Sequence, residues 1–167
     1  MRVAILVISD RASSGERPDA SGPALAADAA EHGWKVIRTE IVPDEQEGIR
    51  ARLMGWTDHD IADVLLTCGG TGFAGRDVTP EATMQVIERE APGLAEAMRA
   101  ASMAVSPHAM LSRARAGIRG RTLIVNLPGS PKAAVENLRV IAPALGHAVQ
   151  LLRESPEAEA GHDSGGV

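Results

Sequence analysis

The stretch "LLTCGGTGFAGRDVTPEAT", residues 65–83, decides how this chain is read. It begins as an apolar run that stops at Cys68. It then passes Gly69, Gly70, Thr71 and Gly72, presents a bare Arg76-Asp77 pair, and reaches Thr79-Pro80. An apolar strand that breaks into glycines and opens onto a helix is a strand-to-helix junction of an α/β protein. Thr79 is expected to be the N-cap and Pro80 the first helical residue, with a helix over 80–90.

Upstream of this junction, "IADVLLT" (61–67) and "VAILVIS" (3–9) are continuous apolar, β-branched runs. Strands of that composition are buried on both faces, as in a parallel sheet. "SGPALAADAAEHG" (21–33) reads as a helix capped by Ser21, with Pro23 in its first turn and Gly33 ending it. "WKVIRTEIV" (34–42) alternates and reads as another strand. "DEQEGIRARLMGW" (44–56) carries acids in its first turn and turns Ile49, Leu53 and Trp56 to one side, a helix.

Downstream, "PGLAEAMRAASMAV" (92–105) predicts a helix with Leu94, Ala97, Met98 and Ala101 on one face. "AGIRGRTLIVNL" (116–127) predicts a hairpin around Arg119-Gly120, or two strands with a break, and its second half is a strong strand. "PKAAVENLRVIAPALGHAVQLL" (131–152) is helical but interrupted at Pro143. "ESPEAEAGHDSGGV" (154–167) has no apolar face and is expected to be a disordered tail. The order β-α-β-α-β-loop-α-α-β-β-α predicts a three-layer α/β/α fold with a mainly parallel sheet. One domain is expected over 1–153, with a tail over 154–167.

Bulk composition narrows the function. The 167 residues are 44% hydrophobic but only 2% aromatic, with no Tyr. Aromatic platforms for stacking nucleic-acid bases are therefore scarce. The net charge of −5 disfavours nonspecific nucleic-acid binding, so neither DNA nor RNA is expected as a partner. Cys68 is the single cysteine, which suits a reducing compartment. No run approaches the roughly 20 apolar residues of a membrane span. A cytoplasmic protein with no membrane contact is expected.

In open α/β sheets the ligand lies beyond the carboxyl ends of the strands. Four segments begin where apolar runs end: "SDRASSG", "PDEQ", "CGGTGFAGRD" and "NLPGSP". If the strands are parallel, all four share one rim. Gly69, Gly70 and Gly72 permit positive φ and a close backbone approach, so successive N–H groups could cradle a phosphate. The G-x-G-x-x-G match at Gly70–Gly75 follows the third strand and lacks a downstream acid, which argues against a dinucleotide site. No Gly-Lys-Ser/Thr follows, which excludes a P-loop.

Asp44 and Asp77 both follow strands on this rim. A carboxylate beside a phosphate nest repels the ligand unless a cation lies between, so the pair implies Mg²⁺ and a nucleotide-like ligand. The plainer alternatives are that Asp44 caps the next helix and that Asp77 is a turn residue or pairs with Arg76. Asp10 reads either as an Asx-turn or as a ligand contact. Cys68 reads as a small core residue. His32, His59, His108, His147 and His162 show no metal spacing. Lys132, Ser13 and Ser14 read as solvated loop or helix-start residues.

At these residues the sequence resembles the molybdopterin adenylyltransferase family, which includes the gephyrin G domain. The matching segments are "SDRASSG" with "DASGP", "VPDE", "GGTGFAGRDVTPEAT", "EREAPG", "LSR", "GIRGRTLIVNLPGSP" and "PALGHAVQLL". They occur in family order over residues 3–153. Cys68, where Thr is usual, and Gly75, where a larger residue is usual, depart from the pattern; neither removes a suspected catalytic group.

The resemblance implies a molybdopterin-binding α/β fold, a cytoplasmic homotrimer, ATP and molybdopterin as substrates, and Mg²⁺ as cofactor. It implies adenylyl-molybdopterin and pyrophosphate as products, with hand-over to a molybdenum-insertion enzyme. Asp44 and Asp77 are implied as catalytic acids and Mg²⁺ ligands, and Gly69, Gly70, Thr71 and Gly72 as the phosphate site. Ser9, Asp10, Ser21, Pro128, Gly129 and Ser130 are implied pocket residues. The alternatives are a non-catalytic molybdopterin store and, further off, a scaffold protein.

Overall fold

Val3–Ile8, Val64–Cys68 and Thr122–Leu127 are buried along their whole length, so both faces of these strands must be covered. The computed structural model, which describes residues 1–154, shows how. Its elements are β1 (Arg2–Ile8), α1 (Asp10–Ser13), α2 (Ser21–Glu31), β2 (Lys35–Val42), α3 (Gln46–Asp58), β3 (Val64–Cys68) and α4 (Thr79–Met84). They continue with β4 (Arg89–Glu90), α5 (Pro92–Met103), a 3-10 helix (Pro107–Leu111), β5 (Ala116–Arg119), β6 (Thr122–Leu127) and α6 (Pro131–Leu152). The expected tail lies, from residue 155 on, outside the described residues.

The six strands form one sheet in the order β2-β1-β3-β6-β5-β4. β1 pairs in parallel with β2 and β3, and β3 with β6; β5 runs antiparallel to β6, and β4 to β5. The predicted mainly parallel, three-layer fold is what forms. Alternate residues of each strand enter different cores. Val3, Ile5, Val7, Val64, Leu66, Leu123 and Val125 pack under α2, α5 and α6 through Leu25, Met98, Leu138 and Leu145. Ala4, Leu6, Ile8, Leu65 and Ile124 pack under α3 and α4 through Ile49, Leu53, Trp56 and Ala82.

Several expectations are corrected. The helix expected over 80–90 ends at Met84, because Glu88 and Ala91 donate their N–H groups to the carbonyls of Ile118 and Ala116. Arg89–Glu90 thereby become an edge strand. α6 continues through Pro143 without a break. Pro143 sits on the exposed side while Leu138, Ile141, Leu145 and Val149 anchor the other face; that packing outweighs the helix penalty of proline. On α5 the inward residues are Ala95 and Met98, with Ala97 and Ala101 exposed. The hairpin is present, its two-residue turn falling at Gly120-Arg121.

Ser21 does not cap α2. The Asp19 carboxylate does, accepting from the N–H groups of Ser21 (2.8 Å) and Gly22. Thr79 does not cap α4 either; Val78 is the N-cap and Thr79 the first helical residue. "SDRASSG" contains one helical turn, α1, capped by the Ser9 hydroxyl, which accepts from Ala12 N.

One buried polar knot supports the rim from below. Asn126 is fully buried and donates through Nδ2 to Thr67 Oγ1 (2.9 Å) and Thr83 Oγ1 (2.8 Å), while its Oδ1 accepts from Arg115 N (3.1 Å). These bonds tie β3, β6 and α4 together. Asn126→Leu keeps the volume but strands the Arg115 N–H, and it is expected to cost about 3 kcal/mol in urea denaturation.

Candidate functional site

Because β1, β2, β3 and β6 are parallel, the segments after them meet at one edge. Ser9 N donates to Val42 O (2.9 Å) and Gly69 N to Leu127 O (3.1 Å), which stitches neighbouring loops together. Ser21 Oγ donates to Gly129 O (2.9 Å) and Cys68 Sγ to Pro128 O (3.1 Å). A Cβ on Gly129 would lie 3.3 Å from Gly69 Cα. The convergence expected from the sequence is therefore present.

Asp44 does not cap α3. Glu45 is the N-cap, without a side-chain bond. Instead Asp44 Oδ2 accepts from Asp10 N (2.8 Å), and Asp44 N donates to Asp10 Oδ1 (3.0 Å). Arg76 does not pair with Asp77; its guanidinium takes the Asp10 carboxylate in a fork, at 3.0 and 2.7 Å. Arg76 holds the Asp10 carboxyl below its ordinary value, helped by the Asp44 N–H. Asp44 goes the other way: burial pushes its carboxyl up, the Asp10 N–H opposes this, and the Asp10 and Asp77 charges add to the rise. Asp77 Oδ2 accepts from Ala74 N (2.8 Å), so Asp77 does shape its turn.

The glycine loop lies between these acids. Gly69 has φ +114° and Gly70 φ +62°, conformations that favour glycine. Gly72, expected to share that freedom, does not have positive φ. A Cβ on Gly70 would sit 3.1 Å from Asp44 Oδ1, and one on Gly72 2.9 Å from Asp77 Oδ2. The loop thus brings Asp44 and Asp77 to either end of a three-residue span. The Gly69 N–H is taken up by the sheet, whereas the N–H groups of Gly70, Thr71 and Gly72 make no backbone bond among the described residues.

Arg113 carries no signal in the local sequence pattern, yet it organises this loop. Its N–H donates to Thr71 O (2.9 Å), Nε to Gly72 O (2.7 Å) and Nη2 to Asp77 O, while Nη1 meets Glu81. Its partners lie far away along the chain, which hides it from local pattern reading. A cavity of about 420 Å³ opens on the other side of the loop, between α5, α6, the 3-10 helix and the rim. Thr71, Gly72, Ser112, Asn126, Pro128 and Ser130 are among its lining. Lys132 also reaches it, although its side chain is 83% exposed and near Glu136. Ser130 caps α6 by accepting from Ala133 N (3.2 Å). Ser9, Ser21 and Ser130 each help build the rim, and Ser130 also lines the cavity.

Cys68 is buried, and burial pushes its thiol up to about 12. It is expected to resist Ellman's reagent at pH 8 until denaturant unfolds the chain. The folded thiol titrates above the ordinary value of 9.0. Stability is thus unaffected below that pH and falls as pH rises toward 12.

Among the described residues no three His, Cys, Asp or Glu side chains cluster to hold a metal. Two carboxylates beside a phosphate nest fit Mg²⁺, which takes one or two carboxylates and fills its shell with water and substrate oxygens. The raised Asp44 carboxyl is what a neighbouring cation would relieve. No helix among the described residues is long and apolar enough to cross a membrane.

A mixed sheet whose parallel strands carry acids and a glycine loop at their carboxyl rim defines an α/β ligand-binding domain. Comparison with known proteins makes this particular. The family profile "Probable molybdopterin binding domain" matches residues 4–147. The chain is 42% identical over 154 residues to the molybdopterin adenylyltransferase of Helicobacter pylori (strain J99), covering 91% of this chain and 88% of that protein. It is 43% identical to gephyrin of Dictyostelium discoideum over 93% of its own length, spanning 23% of that longer protein. Its fold superposes on the molybdopterin biosynthesis enzyme MoaB from Thermus thermophilus with a TM-score of 0.87 and 48% identity, covering 93% and 98% of the two chains. The chain belongs to the molybdopterin adenylyltransferase family.

Proposed function

We propose that this protein transfers AMP from ATP to the terminal phosphate of molybdopterin, releasing adenylyl-molybdopterin and pyrophosphate. One observation carries the reading: the glycine loop sets Asp44 and Asp77 at its two ends on a single rim. Kinship with enzymes named for that transfer supports it.

The difficulty of the reaction is electrostatic, since one anion attacks another. An oxygen of the pterin's phosphate forms a bond to the α-phosphorus of ATP. The bond from that phosphorus to the β-phosphate bridge oxygen breaks, and pyrophosphate leaves with the electron pair. The nucleophile is already ionised at neutral pH, so no general base is required. Asp44 and Asp77 would hold Mg²⁺, which supplies charge neutralisation on the phosphates. Gly70, Thr71 and Gly72 orient the phosphates through backbone N–H groups. The Asp10–Arg76 fork fixes Asp44 against the loop. The cavity bordered by Thr71, Gly72, Pro128 and Ser130 takes the pterin, so the two substrates meet across the loop.

A cytoplasmic homotrimer, with hand-over of its product to a molybdenum-insertion enzyme, belongs to the same reading. The exposed Met103, Val105 and Met110 beside the cavity supply apolar surface for such contacts. Incubation with molybdopterin, Mg²⁺ and ATP labelled at the α-phosphate tests the reaction. Label moving to the pterin with equimolar pyrophosphate is expected. Pterin binding without any label transfer would instead point to a storage protein.

A further inference from the structure

A hydroxyl with no partner lies behind the glycine loop. Thr79 is fully buried, and its Oγ1 makes no hydrogen bond to any protein group among the described residues. Buried hydroxyls without partners are uncommon, because each costs free energy that a bond would recover. As the first residue of α4, Thr79 has no carbonyl of its own helix one turn back to bond. Its position is fixed, since Thr79 N donates to Gly70 O (3.1 Å).

Its neighbour gives the hydroxyl a purpose. A Cβ built on Gly70 would overlap Thr79 Oγ1 and lie 3.1 Å from Asp44 Oδ1. Both oxygens border one small space that only glycine leaves open. The other Asp44 oxygen, Oδ2, is already held by the Asp10 N–H at 2.8 Å. A carboxylate gripped at one oxygen still swings about its terminal torsion. A second donor at Oδ1 would stop that swing.

We propose that Thr79 is a positioning residue for Asp44: on substrate loading, its hydroxyl donates to Asp44 Oδ1 and completes a two-point grip on the carboxylate. The inference rests on the adenylyl-transfer reading only in assigning Asp44 its role. The bond offsets the cost of the buried hydroxyl and aims Asp44 at the loop, as partners behind a ligating carboxylate do.

Thr79→Val, similar in shape but without the hydroxyl, and Thr79→Ser, which restores it, supply the test. Three quantities are read: melting temperature, Mn²⁺ affinity in the presence of α,β-methylene-ATP, and kcat against KM. Thr79→Val is expected to melt no lower than the parent, because it removes an unsatisfied group. It should lose about tenfold in Mn²⁺ affinity and in kcat, with KM for molybdopterin unchanged. Thr79→Ser should recover most of both losses. Parental Mn²⁺ affinity and kcat in Thr79→Val would overturn the proposal. So would a lowered melting temperature with losses that Ser does not restore, since that marks a merely structural role. If the parent protein transfers no AMP, the functional reading fails, while the Mn²⁺ comparison still decides Thr79.

Discussion

Asp44→Asn and Asp77→Asn are each expected to lower kcat for adenylyl transfer about a thousandfold, the magnitude of removing a preorganised charge aimed at the reacting phosphates. The KM for molybdopterin should be nearly unchanged. KM holds because the cavity proposed for the pterin is bordered by Thr71, Gly72, Pro128 and Ser130, with neither acid in its lining. Steady-state kinetics measures both parameters. Equal loss in KM and kcat would instead place the acids in pterin binding.

Stability should move in the opposite direction for Asp44. Burial raises its folded carboxyl above the ordinary value of 3.8. In metal-free protein the ionised group is thus a cost, absent at pH well below that value and established as pH rises through the raised one. Asn keeps an acceptor for the Asp10 N–H. Asp44→Asn should therefore melt no lower than the parent at neutral pH. A loss of activity together with retained or increased melting temperature separates function from folding.

Gly69→Ala is the second large effect. Gly69 has φ +114°, and a Cβ there would collide with the Ile8 carbonyl oxygen, a backbone atom. That carbonyl ends β1, where Ile8 pairs with Val42 of β2 and directly follows the last β1–β3 pair, Val7 with Cys68, so it cannot yield without disturbing the sheet. A cost of about 3 kcal/mol or more is expected from the backbone conformation and the overlap together. For a chain of this size that lowers the melting temperature by roughly 10 °C. Gly75→Ala is the control: nothing lies within 4 Å and φ is not positive. It should be neutral, or stabilise by up to about 1 kcal/mol by restricting the unfolded chain. Scanning calorimetry on both variants reads the contrast.

The centre of the sheet was legible because β1, β3 and β6 are buried on both faces. "VAILVIS" and "TLIVNL" carry no alternation to confuse them with surface strands, and the loops after them fall on one rim by topology alone. What stayed hidden was set by partners distant in sequence. Nothing local in "PEATMQVIERE" tells that Glu88 and Ala91 bond to Ile118 and Ala116 and end the helix. Pro143 suggests a break only until Leu138, Ile141 and Leu145 are seen anchoring the helix on both sides of it.

The site divides in the same way. Asp44 and Asp77 were findable as acids following strands, and the glycines as a break in an apolar run. The reciprocal bonds between Asp10 and Asp44 join residues 34 apart, and the Arg76 fork spans 66. "LSR" marks Arg113 only through the family resemblance; its role, holding carbonyls whose direction only the fold defines, is not readable from the residues themselves. Capping patterns point to Ser21 and Thr79, common cap residues at helix starts, but Ala20 and Val78 hold the N-cap positions and the Asp19 carboxylate takes the Ser21 and Gly22 N–H groups.

The central claim is that Asp44 and Asp77 jointly hold a cation against the nucleotide phosphates. Electron paramagnetic resonance of Mn²⁺ with α,β-methylene-ATP tests it most directly, comparing the parent protein with the Asp44→Asn, Asp77→Asn double variant. A protein-bound Mn²⁺–nucleotide signal in the parent, lost in the double variant while molybdopterin still binds, is the expected result. The same bound signal in both proteins would contradict the account.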